Sequence, residues 1–435
     1  MIWLQRYRLR HYLRNSIWVG PGVTMVVAIF AVHTLHAIEQ AMGWQANLNP
    51  ETARGVLGAL AGAMFTFIVF VCSSLLLVVQ LASAQLTPRV IGTMFRDRVI
   101  KVTLAVFVFS FTFALAAMVR IGSTVPFLVT QFAAYGCAAS IGVFLYLIDH
   151  VGKKLRPSGA FVAVATEAHR VIAGVYPKRL SDAQETVGEA TNGQEKQPLR
   201  VVPSTASGVV LAFDVSGLVA LGTRHDCLIE LAPQVGSFVA PGDPLFYIRG
   251  GPGLPVDALY DSIALGAERT MEQDPAFAFR LIVDIASKGL SPAINDPTTA
   301  VLAIDQLHHL LRHVGKRRLD NEKVKDASGR VRLIYRTPEW EDFVALAVTE
   351  IRQFGGASIQ IARRLRAMLE NLMATLPAIR AEPLRRELQL LKKSAERCFQ
   401  DPEDRALADE SDAQGMGGTN EPATRDQVRL VGVQR

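Results

Sequence analysis

The sequence predicts an α-helical polytopic membrane protein with four transmembrane helices, followed by an α+β cytoplasmic region that contains a small β module. Two observations carry this. A mean hydropathy of +0.23 coexists with 20% charged residues, so the apolar excess is concentrated, and it lies in four nearly charge-free runs in the first third of the chain. The basic residues near those runs then alternate between dense and sparse clusters, which sets an orientation.

The four cysteines, Cys72, Cys137, Cys227 and Cys398, are scattered and form neither a disulfide frame nor a zinc spacing. Residues 1–16 are a basic N-terminus, too long and too charged before the first apolar run for a cleaved signal, so the first helix reads as a retained anchor. A bilayer core needs about 20 apolar helical residues. Ile17–Ile38, Gly55–Val79, Val102–Val119 and Val125–Ile148 meet or approach that without one Lys, Arg, Asp or Glu, which makes 17–150 a four-helix membrane domain. Arg6, Arg8, Arg10 and Arg14 precede the first span, Arg89, Arg96, Arg98 and Lys101 separate the second from the third, and Lys153, Lys154 and Arg156 follow the fourth. The opposite connections carry only Arg54 and Arg120. Both termini are therefore expected in the cytoplasm of a bacterial inner-membrane protein.

Small residues stand where helices can approach closely: Gly55, Gly58, Ala59 and Gly62 in the second span, and Gly136, Ala139, Ser140 and Gly142 in the fourth. No carboxylate lies at mid-membrane, and His33 and His36 read as interfacial. Gln131, Ser73 and Ser74 are candidates to line a narrow pore or to bond a neighbouring helix. Four spans are few for a conduit, so conduction would require self-association.

Residues 151–176 read as a cytoplasmic helix and 177–206 as a flexible linker poor in large apolar residues. In 207–250, "GVVLAFDV", "DCLIEL" and "GSFVAPGDPLFYI" read as short strands. Gly236, Val239, Gly242, Asp243, Pro244 and Leu245 resemble half of the barrel-sandwich domain of lipoyl and biotinyl carriers. With no lysine from Ser207 to Gly250, nothing could bear the prosthetic group, and a barrel-sandwich-like interaction or spacer module remains. Residues 251–400 are mainly helical. Phe277, Leu281, Ile282 and Ile285 form one stripe, Val301, Ile304, Leu307 and Leu311 another, "RVRLIYRT" is a strand and Pro338 opens a further helix. Residues 401–435 read as a disordered tail.

Between the two apolar stripes lies "SKGLSPAINDPTTA". Gly289 is expected to end a helix in the left-handed conformation. Asp296 followed by Pro297 signals the next helix start. The local chemistry thus predicts a capped turn. The density of polar groups offers the alternative of a small-ligand or ion site built from Arg269, Asp274, Asp284, Ser291, Asn295, Asp296, Thr298 and Thr299, with neighbouring Glu268 and Glu272. Asp305, His309 and His313 share a helix face at metal-ligand spacing and are weak candidates, crowded by Arg312, Lys316 and Arg317. Nucleophile-elbow, P-loop and dinucleotide fingerprints are missing from the sequence, so the reading leans away from an enzyme and implies no cofactor and no nucleic acid. The expected partners are the lipid bilayer, further copies of the chain, and a small ligand or ion.

"ERTMEQDPAFAFRLIVDIASKGLSPAINDPTTAVLAIDQL", together with "SAQLTPRVIGTMFRDRV" after the second span, resembles the bacterial family of predicted membrane proteins called domain of unknown function 2254. The resemblance implies a four-span inner-membrane protein with a cytoplasmic region and implies no activity. The leading expectation is a homo-oligomeric channel or transport-like assembly with a cytoplasmic regulatory domain. The alternatives are a membrane-tethered sensor or enzyme using the "SPAIND" turn, and a membrane scaffold for partner proteins.

Overall fold

The computed structural model describes residues 2–46, 48–85, 97–154, 157–182, 198–319 and 322–418. The basic connection holding Arg89 and Arg96, the middle of the segment read as a linker, and the end of the tail lie outside the described residues. The chain divides into two compact units, Met1–Ala160 and Phe161–Arg435.

In the first unit, α1 (Trp3–Asn15) is followed by four helices long and apolar enough to cross a membrane: α2 (Val19–Met42), α3 (Pro50–Gln85), α4 (Arg98–Val119) and α5 (Phe127–Lys154). Their order in space is not their order in the chain, because α4 packs against α2, α3 and α5. Phe113 and Ala117 of α4 meet Ala28 and Val32 of α2, Ala53 and Leu57 of α3, and Val129 and Ala133 of α5. Nearer the other end Phe107 packs with Val71 and Leu147. Ser110 and Ser140 hydrogen-bond at 3.0 Å between α4 and α5, and a Cβ on Gly136 would stand 3.7 Å from the Ser110 oxygen.

The two ends of this bundle are held differently. At one, the Lys101 ammonium donates to the Arg14 carbonyl at 2.5 Å. There Asp97 caps α4 through the Val99 amide and pairs with His150 at 2.8 Å. At the other, Arg54 donates to the Ile121 carbonyl, and Arg120 lies 3.1 Å from the His33 ring. The strand pair β1 (Gln45–Ala46) and β2 (Val125–Pro126) also lies there. Buried Glu39 accepts the amides of Leu128 and Val129 at the start of α5. Glu39 stands one residue past the charge-free run, which is why hydropathy alone passed over it.

The second unit joins sheets to a helical bundle. A five-stranded sheet has the order β3 (Leu199–Pro203), β7 (Pro244–Gly250), β5 (Cys227–Leu231), β10 (Val331–Tyr335) and β9 (Glu322–Lys325). Only β5 and β10 are parallel, with Leu333 opposite Ile229, and the intervening chain includes three helices, as a parallel crossover requires. A three-stranded sheet has the order β6 (Phe238–Val239), β4 (Gly208–Phe213) and β8 (Ile263–Gly266). Helix α7 (Val215–Arg224) packs on β5 and β10. Val202, Phe246, Ile248, Ile229, Leu231 and Leu333 share one core with Leu218 of α7.

Three segments are built differently from what their composition suggests. The segment read as a barrel-sandwich-like module contains a helix, its strands are divided between two sheets, and no closed barrel forms among the described residues. The segment read as a linker ends in β3, where Val202 pairs with Phe246 and is buried. The tail read as disordered continues as α14 (Pro402–Ala408) and a buried turn. In that turn Asp412, 2% exposed, accepts the amides of Gln414, Gly415 and Gly417, and its own amide donates to Arg363.

The bundle consists of α9 (Pro275–Gly289), α10 (Pro297–Val314), α11 (Trp340–Phe354), α12 (Ile359–Thr375) and α13 (Ala381–Cys398), preceded by the short α8 (Val256–Tyr260). Helix α9 is buried around most of its circumference through Phe277, Ala278, Phe279, Leu281, Ile282, Val283 and Ile285, with Arg280, Asp284 and Lys288 on a partly exposed edge, so the expected single stripe widens to a face that packs on both α10 and α11. Helix α11 starts at Trp340, two residues past the expected proline, on a capping box formed by Glu339 and Asp342. Helix α6 (Pro157–Val175) leads into this unit and is anchored by Tyr176, whose hydroxyl donates to the Pro338 carbonyl at 2.9 Å.

Candidate functional site

The turn between α9 and α10 uses its polar groups on itself. Asp296 is the N-cap of α10: one carboxylate oxygen accepts the Thr299 amide at 3.0 Å and the other accepts the Thr299 hydroxyl at 2.5 Å. The Ser291 hydroxyl donates to the Lys288 carbonyl at 2.6 Å. Gly289 stays helical, contrary to the expected left-handed cap. The left-handed residue is Asn295, with φ 49°, and a Cβ on Gly289 would stand 3.2 Å from the Asp296 carbonyl oxygen. The close return of the chain favours glycine there, since a Cβ would make a tight contact with that carbonyl. Thr298 is exposed on the first turn of α10.

The remaining residues of that set are not brought to the turn. Asp274 is the N-cap of α9, 2% exposed, and accepts the Phe277 amide at 3.0 Å. Arg269 donates to its second oxygen through Nε at 2.8 Å and Nη2 at 2.6 Å. Burial pushes the Asp274 carboxyl up from its ordinary range, and the Arg269 charge opposes that. Asp284 accepts from Arg280 Nε at 2.5 Å, while the same guanidinium holds Glu350 of α11 through Nη2 at 2.7 Å. Arg280 thereby depresses the Glu350 pKa. The result is an ion-paired strut between α9 and α11.

The metal candidates are also redistributed. Asp305 is held by Arg364 Nε at 2.7 Å and does not join the histidines. His169 of α6 takes that place: its Nε2 lies 3.3 Å from His309 Nδ1, and its ring centroid is 4.5 Å from those of both His309 and His313. Among the described residues no three His, Cys, Asp or Glu side chains are arranged to hold a metal ion. No spacing in the sequence links His169 to residues about 140 positions away; only the docking of α6 on α10 does.

Two of these histidines, His169 and His313, are held towards the neutral form. Burial, then His169, Arg317, His309 and Lys316, push the His313 imidazole down to about 4, and burial followed by His309 lowers His169. A histidine whose folded pKa lies below its ordinary value of 6.5 contributes stability above that value, and the contribution is lost as pH falls towards 4 because the unfolded chain takes the proton first. His313→Gln is expected to remove about 1 kcal/mol of the stability lost between neutral pH and pH 5, after discounting for the partly exposed site. Melting temperatures of both proteins at the two pH values check this, and identical losses would refute it.

The chain is similar to known proteins along most of its length. Three uncharacterised proteins, one from Mycobacterium bovis and two from strains of Mycobacterium tuberculosis, are each 26% identical over 428 residues, covering 93% of this chain and 80% of theirs. No solved structure matches. Residues 14–371 match the family described as "Predicted membrane protein (DUF2254)", and the chain belongs to it.

Proposed function

We propose that this protein forms a homo-oligomeric channel or transport-like assembly in the bacterial inner membrane, with both termini and the second unit in the cytoplasm, where that unit regulates it. The carrying observation is the position of α4. Its side chains fill the space between α2, α3 and α5, so a path for solutes would run between copies of the chain. The helix faces agree with this. Gly58 and Gly136 are used inside the bundle, whereas a Cβ on Gly55, Gly62 or Gly142 would meet nothing within 4 Å. The basic residues Arg14, Lys101 and Lys153 support the orientation.

Light scattering on the detergent-purified protein, corrected for detergent, is expected to give a multiple of 47.4 kDa. Gly62→Leu, on an open face, is expected to leave the chain folded and reduce the assembly to monomer. A wild-type protein that is monomeric at every concentration, or an oligomer without ion flux in liposomes, would refute the channel.

A further inference from the structure

After α6 the chain runs antiparallel to the segment following α10: the Leu180 amide donates to the Lys316 carbonyl at 2.9 Å and the Arg318 amide to the Lys178 carbonyl at 3.1 Å. Arg179 and Arg317 stand directly opposite each other across this ladder. Cations therefore occupy both sides of a two-strand pairing, and like charges facing one another in that position are destabilising. Among the described residues, no Asp or Glu lines the adjoining cavity of about 540 Å³, which is bounded by Arg179, Ser181, Lys316 and Arg317 and, on its apolar wall, by Leu180 and Leu376. Arg317 is partly committed, donating through Nη1 to the Pro177 carbonyl at 3.1 Å. Among the described residues, Arg179 and Lys316 form no ion pair.

We propose that this cavity binds an organic phosphate. Arg179 and Lys316 would hold the phosphate, and Leu180 and Leu376 the organic part. The volume falls in the range of small-molecule sites, about 300 to 1,000 Å³. A bound phosphate would neutralise the opposed cations of the ladder, and guanidinium and ammonium groups form short, charge-assisted bonds to phosphate oxygens. His313 lines the same cavity, so its imidazole reports occupancy: an anion nearby raises its pKa. The proposal names a ligand class for the regulatory unit and rests on that reading. Its test reads binding and not flux, so each can fail alone.

Full-length protein in nanodiscs of a neutral lipid is titrated calorimetrically with inorganic phosphate and with adenosine 5′-monophosphate. The nucleotide is expected to bind more weakly as salt rises. Arg179→Ala and Lys316→Ala should each weaken it by about tenfold, while Lys316→Arg and the distant Lys393→Ala leave it unchanged. Both alanine positions are exposed, and equal melting temperatures verify folding. Repeating the titration in nanodiscs containing phosphatidylglycerol separates the sources: competition there assigns the site to a lipid headgroup phosphate, and unchanged binding assigns it to a soluble one. Failure of both probes to bind in neutral nanodiscs without any phosphatidylglycerol effect, or alanine variants that bind the nucleotide as tightly as wild type, would overturn the proposal.

Discussion

Glu387→Ala is expected to destabilise the second unit by about 3–5 kcal/mol, because it leaves a buried guanidinium without its charge partner. Glu387 on α13 accepts from Arg352 Nε of α11 at 3.1 Å and from the Thr349 hydroxyl at 3.0 Å, and side-chain exposure at the pair is 8% and 9%. Glu387→Gln retains an acceptor for both donors and should cost less. The double variant Glu387→Leu with Arg352→Met removes both charges together and should recover most of the loss, since an apolar pair of similar volume avoids the desolvation that the ion pair incurs. Thermal unfolding of the purified full-length proteins checks all three. A double variant as unstable as Glu387→Ala would show that the pair acts otherwise than through its buried charge.

The second large effect is expected at Gly236, with a loss of about 3 kcal/mol in Gly236→Ala from a left-handed backbone and a broken buried pair. Its φ is 88°, and a Cβ there would collide with the Arg269 guanidinium and the Asp274 carboxylate. The β-turn segment and the N-cap of α9 are thus fitted against each other at one residue. Asp274→Ala supplies the comparison. If Gly236→Ala acts through this pair, the two substitutions combined should cost less than the sum of each alone; strict additivity would assign the whole effect to the backbone.

Gly236 also illustrates what could be read from the chain. "GSFVAPGDPLFYI" reads as strand, and neither the left-handed backbone at its first residue nor the Arg269–Asp274 pair against it is written locally; both are tertiary facts. Elements written in local chemistry were legible: four charge-free runs became the four apolar helices, Asp296–Pro297 became a capped helix start, and "RVRLIYRT" became a strand. Leu199–Pro203 reads as linker because its five residues follow a long polar stretch, and its partner β7 lies more than forty residues on. The tail misled for a similar reason, since its acidic composition resembles disorder while Asp412 and the glycines after it close a turn against α12. The polar turn drew attention by density, yet Asp296 and Ser291 bond within it. The opposed Arg179 and Arg317 gave no signal, since nothing in either segment names the other.

The central place of α4 bears on how the protein is made. Helices emerge in chain order, so α2 and α3 enter the lipid before the helix that holds them together exists. They must persist there as separate spans, and α2 gains its buried contacts to Phe113 and Ala117 only after the third span is inserted. Synthesis halted before Arg98 would leave two helices in the bilayer without the packing partner they share, exposed to membrane proteases.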